Sequence, residues 1–250
     1  MILKHTPEIS FTNEATRNEV MANAYFLRAY CYFTLVRVFG DCPLLTSGFE
    51  SEKQEDMYPS RTAASEVYAQ VETDIEEALR LMPASSKLLH KASPAAINML
   101  RTEYYLWKAK RLGGGNAALS TAQSSVDAVL KAGYALLPTF ADIFNLNNEA
   151  NSELIWTLPY IVNENVTPGT SPNFFAYYLA PNGDRTRLRE AGYTEDEVPA
   201  GSHAQYVVPT QAYCDFLAED ARDTRTDVSV RVFEDKFLTE EVQIKRMVVK

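Results

Sequence analysis

Histidine and cysteine are scarce in this chain, with three of each among 250 residues. His5, His90 and His203 fall in expected loops or beside helix breaks. No His-Glu-x-x-His, Gly-x-Ser-x-Gly or Walker pattern accompanies them. Cys31, Cys42 and Cys214 are odd in number and widely spaced, which is neither a disulfide framework nor a zinc-ligand pattern. Cys31 sits in an apolar helical run and reads as a buried small hydrophobe, with a Cys31–Cys42 bridge as the minor alternative. Nothing in the spacing supports a Cys214–His203 nucleophile. Basic residues are also outnumbered: 24 Lys and Arg against 33 Asp and Glu leave a net charge of −9. That balance argues against a nucleic-acid binder, which needs a basic face to displace counterions from phosphates. No hydrophobic run is long enough to span a bilayer. The opening MILKHTPEIS lacks the parts of a signal peptide. Acidic neighbours such as Glu76-Glu77, Asp196-Glu197 and Glu240-Glu241 diverge on a helix or strand, so they read as solvated charge and not as the opposed carboxylates of a glycosidase. No catalytic residue, metal site or cofactor is expected.

Aromatics are plentiful by contrast, at 11% of residues with 14 tyrosines. They gather first in Ala24 to Thr46, AYFLRAYCYFTLVRVFGDCPLLT. Phe26, Ala29, Phe33 and Val36 recur at helical spacing and mark a face for burial. Tyr25, Tyr32 and Phe39 widen it almost all the way round, which predicts a core helix. Only Arg28 and Arg37 interrupt it. Nine positions apart, at about 100° per residue, they point to opposite sides. Gly40 and Pro43 end the helix.

This stretch resembles the signature helix of the SusD/RagB-like family through Phe26, Leu27, Arg28, Ala29, Tyr30, Tyr32, Phe33, Leu35, Val36, Arg37, Phe39, Gly40, Asp41, Pro43 and Leu44. Two later passages are similar to the family as well: RTAASEVYAQVETDIEEALRLMP, and Asn151, Ser152, Glu153, Ile155 and Trp156 after an Asn-rich run. The resemblance covers most of this chain, while the chain covers only the middle of the family. It implies a protein truncated at both ends.

Three more helices are expected. One runs from about Ala63 to Met82, with Thr62 as N-cap and Val67, Val71, Ile75, Ala78, Leu79 and Met82 inward. Its Glu66, Gln70, Asp74 and Glu77 are expected to face water. The next starts at Ser93-Pro94 and carries Ala96, Leu100, Tyr104 and Trp107 on one stripe. The last spans Ala117 to Ala132, with Ala118, Ala122, Val126 and Val129 inward. Gly113, Gly114 and Gly115 read as a helix–helix turn, since no strand precedes them and no Lys-Ser or Lys-Thr follows. Antiparallel pairs with alanine at close-packing positions follow the logic of tetratricopeptide-type hairpins. The fold class is therefore mainly α, with tetratricopeptide-like hairpins, a loop-rich segment and a few short strands. Residues 1–134 form the helical-repeat scaffold. Residues 135–250 form the loop-rich segment, expected to pack on the scaffold within one domain.

After Tyr134 the texture changes. Phe140 and Phe144 read as anchors. Leu154, Trp156, Leu158 and Tyr160 alternate, as a strand does, and so do Val228, Val230 and Val232, with Gln243 to Val249 as another candidate. A short helix holding Tyr213, Phe216 and Leu217 is expected after Pro209. Asn147, Asn148, Glu149 and Asn151, and the run Pro181 to Asp184, carry oxygens of the kind calcium takes. Without EF-hand spacing, turns are the preferred reading. Residues Val162 to Val208 are rich in Pro, Gly, Asn and rings, and long ordered loops are usually functional. Sugar rings stack their C–H faces on aromatic faces and satisfy their hydroxyls with amides, carboxylates and guanidinium groups. Asn173, Phe174, Tyr177, Tyr178, Asn182, Asp184, Arg185 and Tyr193 offer that combination and are the candidate ligand-binding residues, alongside the alternative that the rings form a minor core.

The resemblance implies a non-catalytic, outward-facing outer-membrane lipoprotein of Bacteroidetes-type bacteria. It would bind an oligosaccharide or polysaccharide, or another nutrient, and cap a TonB-dependent transporter. Its only membrane attachment would be a lipid anchor not in this sequence. A helical-repeat interaction scaffold without a small ligand is the alternative, and a glycoside hydrolase a third.

Overall fold

In the computed structural model the described residues are 1–51, 58–86, 89–158 and short stretches of the remainder (192, 212, 216, 219, 222–225, 230–234 and 245–249). A single helical turn, α1 (Ile2–His5), comes first. Asn13 then caps the longest helix, α2 (Glu14–Phe39), its Oδ1 accepting from Ala15 N at 2.8 Å. The apolar stripe is buried as its spacing predicts: Ala22, Phe26, Ala29, Phe33 and Val36 are all inside. Gly40 ends the helix at φ +69°, where a Cβ would meet no atom within 4 Å. Conformation, not space, calls for glycine there.

The next residue does more than follow a helix stop. Asp41 Oδ1 accepts from Ala64 N at 2.8 Å and so supplies the N-terminal cap of α3 (Ala64–Leu81). Thr62, the expected cap, gives no side-chain bond to α3. Its backbone instead pairs with Cys42 in an isolated bridge, Thr62 N donating to Cys42 O at 3.0 Å. The cap and this bridge tie the end of α2 to the start of α3 and make the two helices antiparallel.

Val67, Val71, Ile75 and Ala78 of α3 are fully buried. So is Asp74, which was expected in water. It lies at i+3 from Val71 and i+7 from Val67, hence on the inner stripe, and Arg28 of α2 neutralises it. Arg28 and Arg37 do leave α2 on different sides. Arg28 reaches Asp74 on α3, and Arg37 reaches Glu103 on α4 (Pro94–Arg111).

Ser93 caps α4, its Oγ accepting from Ala96 N at 3.1 Å, and Pro94 fits the first helical position. The glycine run turns the chain into α5 (Gly115–Leu130), which buries Ala118, Ala122, Ser125 and Val129. Arg101 Nη1 donates to Ser125 Oγ at 2.8 Å across this pair. The result is two helical hairpins, α2/α3 and α4/α5, stacked through a core of Phe26, Phe33, Val71, Ile75, Ile97, Leu100 and Tyr104. Mainly α architecture with tetratricopeptide-like hairpins is what the periodicity implies.

One compact unit comprises Met1–Leu136 together with Ala150–Pro159. Its returning stretch is not a strand: residues 151–158 run irregularly despite the alternation of Leu154, Trp156 and Leu158. Tyr160 lies outside the described residues. Among the described residues no strand lies beside the stretch to complete a ladder. It is tied to helix-flanking loops instead, Thr157 N donating to Leu89 O at 3.1 Å and Ala135 N to Ser152 O at 3.1 Å. Trp156 and Ile155 lie against the helical core.

The other unit comprises Leu137–Glu149 and Tyr160–Lys250. It contains a short helix, α6 (Phe140–Ile143), with Phe140 and Phe144 edge to face at 5.1 Å. The Asn-rich run forms a turn, Asn145 Oδ1 accepting from Asn147 N at 2.9 Å. Two strands follow where alternation predicts them, β1 (Val230–Glu234) and β2 (Lys245–Val249), paired antiparallel with Val230 opposite Val249. Val228 and nearly all of the helix expected after Pro209 lie outside the described residues.

Candidate functional site: an aromatic groove between two helices

Helices α2 and α4 run side by side in the same direction, since Phe26 and Tyr30 neighbour Ala96 to Leu106 while Arg37 neighbours Glu103 and Trp107. Between them opens a groove of about 500 Å³. Tyr30 of α2, Met99 and Leu106 of α4, and Trp156 of the returning stretch line it. The indole stands edge-on to both neighbouring rings, 5.2 Å from Phe26 and 5.3 Å from Tyr30. Phe26 is sealed in the core, whereas Tyr30 is 40% exposed at the lip. The polar groups of the lining are few: Thr102, Glu103 and Glu153. Thr102 spends its hydroxyl on the Asn98 carbonyl at 2.7 Å. Glu103 is held by Arg37, whose guanidinium lies 4.0 Å over the Phe33 ring. Such a lining accepts apolar faces and offers little to a ligand rich in hydroxyls.

The wall formed by α4 is fixed from behind by Glu72 of α3. Its carboxylate accepts from Tyr104 Oη at 2.8 Å, Tyr105 Oη at 3.0 Å and Lys108 Nζ at 2.7 Å. Burial pushes this carboxyl up, but the bonds from Lys108, Tyr104 and Tyr105 outweigh it and hold Glu72 below the ordinary carboxylate value. Burial, then the hydrogen bond to Glu72, then its charge, push both tyrosine hydroxyls upward, so they stay protonated donors. With one proton each, these hydroxyls are committed to positioning α4.

A second cleft of about 310 Å³ lies where the loop before α4 meets Tyr134 and the returning stretch. Asn151 there is buried, with Oδ1 accepting from Glu153 N at 3.1 Å. Among the described residues no three His, Cys, Asp or Glu side chains gather as a metal site, and no helix is long and apolar enough to cross a membrane.

All eight candidate ligand residues, Asn173, Phe174, Tyr177, Tyr178, Asn182, Asp184, Arg185 and Tyr193, lie outside the described residues. So do the acidic pairs at 196–197 and 240–241 and the run 181–184. The α2/α4 groove went unread in the sequence. The available signal was the ring of apolar residues around α2, with Tyr30 flanking the Ala29 and Phe33 face and Leu27 on the side opposite it. Cys31 shares that outer side and is exposed, not buried, and both Cys31 and Cys42 are free thiols.

Stacked helical hairpins with a ringed groove beside them define a helical-repeat architecture. A family profile described as "Starch-binding associating with outer membrane" matches residues 3–105. SusD-like protein P2 of Formosa agariphila is 27% identical over 215 residues, covering 85% of this chain and 39% of its own length. A solved SusD superfamily protein from Bacteroides vulgatus is 27% identical with a TM-score of 0.79, covering 99% of this chain and 51% of that protein. A laminarin binding SusD-like protein is 25% identical with a TM-score of 0.52, covering 62% of this chain and 33% of that one. The chain belongs to the SusD/RagB-like family, and it spans about half or less of each of these relatives.

Proposed function

We propose that this chain is part of a non-catalytic nutrient-capture protein. It holds a glycan, or another nutrient, at the outward face of the outer membrane and passes it to a TonB-dependent transporter. A lipid anchor attaches the protein. The observation that carries the reading is membership of a family whose profile joins starch binding to outer-membrane association, together with likeness to a laminarin binding SusD-like protein. In this reading residues 135–250 lie on the helical scaffold within one domain. Phe174, Tyr177, Tyr178 and Tyr193 supply stacking faces, and Asn173, Asn182, Asp184 and Arg185 serve the hydroxyls. Affinity is modest, because each hydroxyl exchanges water for protein at little net gain. No bond is broken.

Retention on a panel of immobilised polysaccharides that includes laminarin, with chromatography of the eluate, tests this. Retention of one or more glycans without shortening supports it. Release of shorter sugars points to a hydrolase. Silence across the panel moves the weight to an interaction scaffold, the reading that the apolar α2/α4 groove favours.

A further inference from the structure

The cleft of about 310 Å³ beside the start of α4 differs in chemistry from the apolar groove between α2 and α4. Ser86, Ser93, Tyr134, Asn151 and Ser152 bring polar side chains to its lining, and Leu89, Pro94, Leu154 and Ile155 bring apolar surface. Among the described residues the lining holds no carboxylate, ammonium, guanidinium or imidazole group. Its walls are tied to one another. Ser152 Oγ donates to the Ala135 carbonyl at 3.1 Å, and Ala135 N donates back to the Ser152 carbonyl at 3.1 Å. Thr157 N reaches the Leu89 carbonyl at 3.1 Å. The loop before α4 is pinned to α2, Ala92 N donating to Asn23 Oδ1 at 2.8 Å. These bonds form the cleft before anything enters it. Its volume falls at the lower end of the range for small-molecule sites, roughly 300–1,000 Å³.

Hydrogen-bonding capacity is left over in this lining. The Tyr134 hydroxyl, half-buried, bonds to none of the described residues. Ser93 is 2% exposed; its oxygen accepts from Ala96 N, and its proton has no acceptor among the described residues. Ser152 spends its proton on Ala135 and keeps its lone pairs. A spare donor, a spare acceptor and a group that can act as either therefore share one cleft with an apolar wall and no charge. A sugar ring has the matching make-up, with hydroxyls that both donate and accept around an apolar C–H face. We infer that this cleft binds one neutral sugar ring. It has room for a single ring, not for a chain. A ring bearing a carboxylate or sulfate would give up hydration there for no opposite charge, and is excluded. The inference shares a ligand class with the proposed function but none of its residues.

Saturation-transfer NMR on the 250-residue chain tests it. The probes are the methyl glycosides of glucose, galactose and mannose, with methyl glucuronide as the charged counterpart of the glucoside. Transfer to at least one neutral glycoside is expected, and none to the glucuronide. Y134F is expected to weaken the titrated binding about 2- to 12-fold, the net worth of one hydrogen bond, with its melt unchanged because that hydroxyl holds no described protein group. A150W, which puts an indole on an exposed position of the wall, is expected to abolish binding. Should A150W melt early, Y134F decides alone. Y177A/Y178A is expected to leave the signal intact, so failure here and failure of the polysaccharide reading are separate results. Transfer to no neutral glycoside overturns the inference. So does a glucuronide that binds as well as the glucoside, a signal that Y134F leaves unweakened, or one that Y177A/Y178A removes.

Discussion

Arg28 on α2 grips Asp74 on α3 with two parallel hydrogen bonds, Nε to Oδ2 at 2.7 Å and Nη2 to Oδ1 at 2.6 Å. The carboxylate is wholly inside, and Gln70 Nε2 gives it a third bond at 2.8 Å. The guanidinium also donates to the Thr46 carbonyl at 3.1 Å, so one side chain joins two helices and the chain leaving the first of them. Its pKa is raised, above all by the Asp74 bond. Breaking such a pair leaves an uncompensated buried charge, at a cost of about 3–5 kcal/mol. Asp74→Ala is therefore expected to lower the urea midpoint by that equivalent. Arg28→Met combined with Asp74→Leu should recover most of the loss, because apolar groups of similar volume restore the packing. A double variant as unstable as Asp74→Ala alone would show that the pair does more than neutralise itself.

The cap from Asp41 to Ala64 reaches across 23 residues of sequence. Losing it should cost about 0.5–2 kcal/mol, the usual range for an N-cap. Asp41→Ala is expected to show that loss in chemical denaturation, with Asp41→Asn close to wild type. Thr62→Ala should change little, since no bond from its side chain caps α3.

Glu72 gives a pH signature. Its folded pKa lies below the ordinary value, so the stability it supplies is complete above the unfolded carboxylate value of about 4.3 and is lost as pH falls through the lowered one. At neutral pH, Glu72→Gln should cost about 1–3 kcal/mol through weakened bonds from Lys108, Tyr104 and Tyr105. Below about pH 4 the difference between variant and wild type should shrink, because the protonated acid and the amide are then alike in charge. Urea midpoints across pH 3 to 7 measure it; a difference independent of pH would remove the charge from the account.

The helices were legible because each is punctuated. Gly40 and Pro43, Ser93-Pro94 and the run at Gly113 mark ends, and the 3.6-residue spacing of Val67, Val71 and Ile75 marks a face. What failed had a partner distant in sequence. Asp74 sits at a core position, and only the 46-residue link to Arg28 makes an acid tolerable there. Residues 154–158 alternate like a strand but lie across helices with loops alone to bond. Cys31 reads as buried from the company it keeps on α2, whereas exposure depends on which neighbours are present. The candidate ligand residues were chosen by composition in a loop-rich segment, and composition says which groups are available without saying which of them converge.

Affinity electrophoresis through gels containing the glycans that retain the protein, run for the wild type and for the Tyr177→Ala/Tyr178→Ala double variant with their thermal melts, tests the central claim most directly. The account predicts a wild type retarded by at least one intact polysaccharide, and a variant whose retardation is largely lost while its melting temperature is nearly unchanged. A wild type that no glycan slows, or one that shortens the glycan it meets, would contradict it.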